Sequence, residues 1–392
     1  MKTLQGTSPY EAACLLIKDH KDEDPFFILD QQDLHKKVAI WREHMPRIKP
    51  FYAVKCNNDP TVLKILAGLG LGFDVASKAE IESVLDLGVD PSRLVYAQPC
   101  KFSSHLLFAK SHKVNKMTFD NEDELHKIKK IYPEAKLLLR IRYDGLSTMC
   151  FGDKFGADPE NCPKLLKLAR ELQLTVVGVS FHVGSHAQDG DSYVRAIAGC
   201  RKVLDQAISL GFTPSILDIG GGFPLKADIH FTAIAAAINE TLDQYFPNDG
   251  PIEVIAEPGR YIAGTALSLV TMITSRRLIK RNDGEIMSAI YYLNDGIYGS
   301  FHTIKIINRI VKPKIIRKTH SSEDDTKLGS CIASDVWGPT CDSYDKVGSS
   351  MDLPLLSVGD WLFWPDMGDY TLTLQSSFNS YTKASIQYCK TD

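Results

Sequence analysis

With 392 residues, 44% hydrophobic and 24% charged, the chain has ordinary globular composition and enough apolar residues for a large core. A formal charge of −3 gives no global basic field for nucleic acid, and no apolar run nears the ~20 residues needed to cross a membrane. Nine cysteines, odd in number, with no Cys-x-x-Cys pair and no leader-like apolar segment ahead of them, point to free thiols in a reducing cytoplasm and to no metal site.

Asp24–Asp30 is the first strand-like segment. From about residue 50 to 260, short apolar runs then alternate with helical patterns. The runs are Phe51–Cys56, Gly72–Ser77, Arg93–Gln98, Lys116–Asp120, Ala135–Tyr143, Thr175–Val183, Ser215–Gly220 and Ile252–Glu257. Between them, stretches such as Thr61–Gly68, Ala79–Leu87, Glu122–Ile131, Pro163–Gln173, Tyr193–Leu210 and Phe231–Phe246 repeat apolar residues every three or four positions, the helical period. Eight strands alternating with helices is the count of a (β/α)8 barrel. An open doubly wound sheet is the competing arrangement, because alternation does not display closure. Beyond about residue 265 the runs Ile286–Leu293, Ile304–Val311, Asp360–Trp364, Tyr370–Leu374 and Ser385–Cys389 are β-like and separated by turns. The expected fold is therefore a barrel over 32–265 and an all-β domain over 266–392, made discontinuous by residues 1–31. Ser321–Thr326 reads as an exposed acidic loop, and the basic clusters 276–281 and 312–318 as solvated strand ends or loops.

Three features in this frame carry chemistry. Lys55 ends an apolar strand, where partial desolvation favours the neutral, nucleophilic amine of Schiff-base chemistry. The run Asp218-Ile219-Gly220-Gly221-Gly222-Phe223 follows another strand, and a glycine turn leaves backbone N–H groups able to cradle a phosphate. In Ala256-Glu257-Pro258-Gly259-Arg260, a carboxylate and a cation could serve a pyridinium nitrogen and that phosphate. Alone, the lysine could merely end a strand and the glycines form a turn. Together they describe a pyridoxal 5'-phosphate (PLP) site. Lys55, Asp74, Arg140, His182, Gly220 and Glu257 all fall at or just after the C-terminal ends of different strands, the face that carries active sites in such barrels.

These segments, with Ser180–Ser185 and Trp337-Gly338-Pro339-Thr340-Cys341-Asp342, resemble the fold-type III PLP decarboxylases of the eukaryotic ornithine decarboxylase kind over nearly the whole chain. The resemblance implies a PLP-dependent carboxy-lyase acting on an amino acid, L-ornithine to putrescine and CO2 in that group. It implies a homodimer with active sites at the subunit interface, and antizyme as a candidate partner. Carried over by position, Lys55 would hold PLP, Glu257 would pair with its ring nitrogen and His182 would lie on the ring face. Ser185, Gly220, Gly221, Gly222, Arg260 and Tyr370 would hold the phosphate. Asp74, Arg140 and a more structural Glu80 would surround the lysine and cofactor. Cys341 would protonate the substrate's α-carbon from the partner subunit. Asp342, with Tyr298 and position 307, would meet the distal end of the substrate. Lys154 with Asp345 and Asp120 with Arg277 match charged pairs that cross the family's dimer interface.

The departures bear on substrate. Ile307 stands where the ornithine enzymes carry an aspartate that helps bind the distal amine, and Ile306 replaces a tyrosine. His186 replaces a glycine. Asp369 replaces an alanine before Tyr370, and strand alternation would turn it outward. A same-fold decarboxylase with another amino-acid substrate, or a non-catalytic protein like antizyme inhibitor, are the alternatives. The latter predicts an eroded cofactor shell.

Overall fold

The computed structural model describes residues 3–20, 22–143, 145, 147–149, 151–247, 250–307, 309, 311–317 and 331–392. The acidic segment 321–326 lies outside them. The chain divides into two compact units, residues 34–262 and residues 1–33 with 263–392.

In the first unit eight parallel strands close into a barrel in chain order. They are Ile48–Ala53, Gly72–Val75, Leu94–Tyr96, Lys116–Phe119, Lys136–Ile141, Thr175–Phe181, Ile216–Asp218 and Glu253–Ala256. The eighth pairs back onto the first, with Ala256 opposite Pro50. Closure excludes the open sheet. The strands read as nearly continuous buried runs, as expected where both faces are covered. Phe51, Val95, Ala97, Leu138, Val177, Ile216 and Ile255 form a cluster of the core. A Cβ at Gly72 would run into the Phe51 ring, so glycine is what lets that ring sit against the second strand.

Local chemistry fixes where the barrel helices begin. The Asp59 carboxylate accepts from the Thr61 and Val62 N–H groups and starts Pro60–Gly68. Ser77 and Asn121 do the same for Lys78–Leu85 and Glu122–Ile131, the latter with acidic residues in its first turn and lysines in its last. Pro9–Asp19, Gln31–His44 and Ser103–Ser111 are among the helices that were not anticipated.

The second unit is a nine-stranded sheet. Its backbone is Leu267–Lys280, which pairs along its length with Phe26–Asp30, Trp361–Trp364 and Ile286–Leu293. Ile332–Trp337 and Lys346–Leu353 extend one side, and Ser385–Lys390 pairs with Phe26–Asp30 on the other. The early strand therefore belongs to this sheet.

Two β-like expectations fail here. Ile304–Val311 was expected extended, but His302–Ile306 is a short helix, because Phe301 and Ile304 are both buried at helical spacing and Phe301 packs edge-on against Trp364. Tyr370–Leu374 is not a strand either. Tyr370 has φ +52°, and Leu372–Leu374 is one 3-10 turn. Among the described residues no helix is long and apolar enough to cross a membrane.

Candidate active site

Lys55 lies in the 3-10 turn Val54–Cys56 that follows the first barrel strand. Its neighbour in the second strand, at the register Ala53–Asp74, supplies the buried carboxylate with which the ammonium forms an ion pair. The Asp74 side chain is fully buried while that of Lys55 is 43% exposed, so the amine is anchored and still reachable. Glu80 accepts from the Ala76 N–H at 2.6 Å, which fits the structural role expected of it.

Asp74 shares this end of the barrel with two further buried carboxylates that interact with it. Asp218 and Glu257 end the seventh strand and follow the eighth, both buried. Burial pushes Asp218 up to about 7 against the opposing pull of the Gly220 N–H at 2.9 Å. Glu257 is pushed up as well, first by burial and then by the Asp218 and Asp74 charges. Lys55 and Arg140 act in the other direction on Glu257. Asp218 was quoted in the glycine motif without a role; its position as the last residue of a buried strand was the available signal.

His182 follows the sixth strand. Its Nδ1 accepts from the Gly184 N–H at 3.0 Å, and Phe151 stands edge-on to its ring at 4.9 Å. Burial and then the Arg140 and Lys55 charges lower its pKa, so the imidazole is neutral. The residue retains some exposed surface, but both cations act in the same direction as burial. Arg140 itself lies over the Phe155 ring at 5.3 Å.

The glycine loop is pinned through its carbonyls. Gly220 O accepts from the Glu257 N–H at 2.7 Å, Gly221 O from the Tyr193 hydroxyl at 2.9 Å and Gly222 O from the Ala187 N–H at 2.9 Å. With these acceptors occupied by protein and the Gly220 N–H held by Asp218 Oδ1, what the loop offers a ligand is the N–H donors of Gly221 and Gly222, the requirement for an anion. Side chains do not fit there. Gly220 (φ +64°) and Gly222 (φ +105°) have left-handed backbone, and a Cβ on Gly222 would lie 2.5 Å from Gly184 O. Arg260, buried, donates to Ser185 Oγ at 3.2 Å and adds a cation beside the same loop. His186, where glycine is usual, has φ +58°, the left-handed backbone that glycine adopts most easily.

These residues fit PLP. They provide an anchored amine, a buried acid for a basic ring nitrogen and a donor cradle with a guanidinium. Asp74 Oδ1 and Asp218 Oδ2 are buried acceptor atoms without a hydrogen bond.

The remaining expected residues lie in the sheet unit. The Tyr298 hydroxyl donates to Asp342, and that bond, followed by the Tyr344 N–H, lowers the Asp342 pKa. Cys341 is exposed, its N–H bound to Asn379 Oδ1 at 3.1 Å. Phe378, not anticipated, lies 4.5 Å from the Tyr298 ring, 44% exposed. Ile307 caps the His302–Ile306 helix and is half-buried. Tyr370 O accepts from Thr303 Oγ1. Asp369 is not turned outward. It is fully buried, because Arg309 pairs with it at 2.9 Å. Asp345 spends its carboxylate within the chain, accepting from the Ile297 N–H at 2.7 Å and the Thr340 hydroxyl at 2.6 Å.

Residues 31–264 match the family described as pyridoxal-dependent decarboxylase, pyridoxal binding domain. Antizyme inhibitor 2 of Xenopus laevis is 42% identical over 381 residues, 95% of this chain and 82% of that protein. The ornithine decarboxylase of Neurospora crassa is 42% identical over 386 residues, 92% of this chain and 79% of its own. The arginine decarboxylase of Paramecium bursaria Chlorella virus superposes with a TM-score of 0.90 at 33% identity, over 97% of this chain and 100% of that one. The chain belongs to the pyridoxal-dependent decarboxylases of the ornithine decarboxylase type, carboxy-lyases that share this barrel and use pyridoxal 5'-phosphate.

Proposed function

We propose that the chain decarboxylates L-ornithine to putrescine and CO2, as a cytoplasmic homodimer in which each site is completed by Cys341 and Asp342 of the partner copy. The observation that carries this reading is the complete set at the barrel strand ends: Lys55 with Asp74, neutral His182, buried Glu257, and the glycine loop with Ser185 and Arg260. The eight described cysteines form no disulfide, in keeping with a reducing compartment.

Bound PLP supplies the electron sink for the pair left on the α-carbon when CO2 departs. The rest is done by the chain. Asp74 sets where the Lys55 amine stands. Glu257, which burial keeps protonated in the protein alone, would pass that proton to the basic ring nitrogen and stay as the carboxylate beside the resulting pyridinium, since opposite charge lowers an acid's pKa. His182 presents an uncharged ring and draws no electrons from the cofactor. Arg260 and the loop donors neutralise the phosphate. Cys341 delivers the proton to the α-carbon, and Asp342, oriented by Tyr298, receives the distal ammonium.

Ile307 sets the quality of that last contact. An ammonium leaves water at a cost unless it is paired, and this position offers an alkyl group. We therefore read ornithine turnover as slow with a high KM. Ile307 equally favours a second reading, a substrate with a less polar distal end. The test is CO2 release from ornithine, lysine, arginine and diaminopimelate by PLP-loaded protein. Release from ornithine supports the first reading, and faster release from another member supports the second. No release from any of them, with PLP bound, would overturn both and favour a binding role like that of antizyme inhibitor.

A further inference from the structure

The glycine loop is held from behind at three points, and one of the three is a side chain. Gly220 O and Gly222 O accept from the backbone N–H groups of Glu257 and Ala187, whereas Gly221 O accepts from the Tyr193 hydroxyl at 2.9 Å. A peptide unit is planar and trans, so its C=O and N–H point in opposite directions. Holding Gly221 O therefore fixes where the Gly222 N–H points, away from Tyr193. The Glu257 N–H does the same for the Gly221 N–H through Gly220 O. Among the described residues neither of these two N–H groups has a protein acceptor, and Gly221 is buried. A buried N–H is costly without a partner, so the two donors are set for a ligand.

Tyr193 suits the task of holding that carbonyl. It lies in the first turn of the helix Asp191–Ser209 and is fully buried. Its ring stacks at 5.3 Å on Phe223, the residue after the glycines. Burial raises the pKa of the phenol, so the hydroxyl keeps its proton and stays a donor.

We propose that Tyr193 is a positioning residue for the cofactor phosphate: its hydroxyl, through Gly221 O, sets the direction of the Gly222 N–H donor. The inference rests on the reading of the glycine loop as the phosphate cradle, and every group it invokes belongs to the barrel unit.

The experiment compares PLP with pyridoxal, which keeps the aldehyde and lacks the phosphate, as ligands of PLP-free protein. Dissociation constants come from absorbance titration, with inorganic phosphate as a competitor of PLP. Tyr193→Phe removes the hydroxyl and keeps the stack on Phe223. It is expected to weaken PLP roughly three- to tenfold, the scale of one hydrogen bond, and inorganic phosphate by the same factor. Pyridoxal should bind as it does to wild type, a selectivity that a general loss of stability would not produce. Arg260→Gln, which removes the cation beside the loop, is the control for the cradle. It should lower PLP affinity relative to pyridoxal by roughly tenfold or more. If Arg260→Gln does so and Tyr193→Phe leaves the ratio at its wild-type value, or weakens both ligands alike, Tyr193 is not a positioning residue. If neither variant changes the ratio, the phosphate reading of the loop fails and the inference falls with it.

Discussion

Asp218→Asn tests the carboxylate cluster without reference to turnover. In the folded barrel burial raises Asp218 to about 7 from 3.8. A carboxyl whose folded pKa is raised adds stability that is complete below the unfolded pKa and is lost as pH rises through the folded one. Between pH 5 and pH 8 the loss is about 2–3 kcal/mol, most of the roughly 4 kcal/mol that the whole shift represents. Asparagine cannot ionise, and its amide oxygen can keep the Gly220 N–H. It also relieves Glu257, which Asp218 pushes up, so the paired titration collapses in the same direction. The variant should therefore gain on wild type steadily from pH 5 to pH 8. Urea unfolding of both PLP-free proteins across that range measures the difference, and other titrating groups cancel in the comparison. Parallel pH profiles for the two would show that Asp218 ionises alike in folded and unfolded chains, and the reasoning would be refuted.

Gly72→Ala places a methyl in the Phe51 ring and should cost about 1–3 kcal/mol by thermal or urea unfolding, with Phe51→Leu restoring part of it; an unaffected midpoint would contradict the packing argument. Borohydride reduction of PLP-loaded protein should fix the cofactor on Lys55 by peptide mapping, and an adduct on another lysine would refute the assignment. Mixing Lys55→Ala and Cys341→Ala chains, each inactive alone, should restore about a quarter of the sites at random reassortment if two-fold related copies share them, whereas no recovery would argue for self-contained sites. Ile307→Asp should raise kcat/KM for ornithine by roughly thirtyfold or more if a second carboxylate is what the site lacks, and no gain would locate the preference elsewhere.

The barrel was legible because its strands are buried on both faces and its helices on one, so period and length separate them even though the C-terminal end of each strand moved by one to three residues. Lys55 and the glycine loop were legible because strand ends and glycines announce themselves. Other elements hid for identifiable reasons. Pro9–Asp19 carried its own start signal, the reciprocal Ser8–Glu11 cap, but lay outside the alternating region where helices were sought. Ile304–Val311 has strand composition, yet the burial of Phe301 and Ile304 on one side decided for a helix. Asp369 could not be placed by alternation because no strand exists there. Its partner Arg309 is sixty residues away in sequence, a separation at which no local pattern speaks.

The strand Phe26–Asp30 is buried at all five positions, between Ser385–Lys390 and Leu267–Lys280. On the ribosome it emerges long before either neighbour. Synthesis from Asp30 to Ser385 takes roughly 20–70 s at 5–20 residues per second. Both hydrogen-bonding edges of this largely apolar strand are open until Leu267–Lys280 emerges, and one stays open until Ser385–Lys390 arrives, the condition that invites pairing with other chains. The barrel, whose strands all lie between residues 48 and 256, needs nothing from the last third of the chain to close its sheet. Assembly is therefore ordered by the route of the chain, barrel early and sheet late. A chain cut short of residue 385 would keep one edge of Phe26–Asp30 unpaired, so its defect should appear as aggregation during synthesis and not as the quiet loss of a tail.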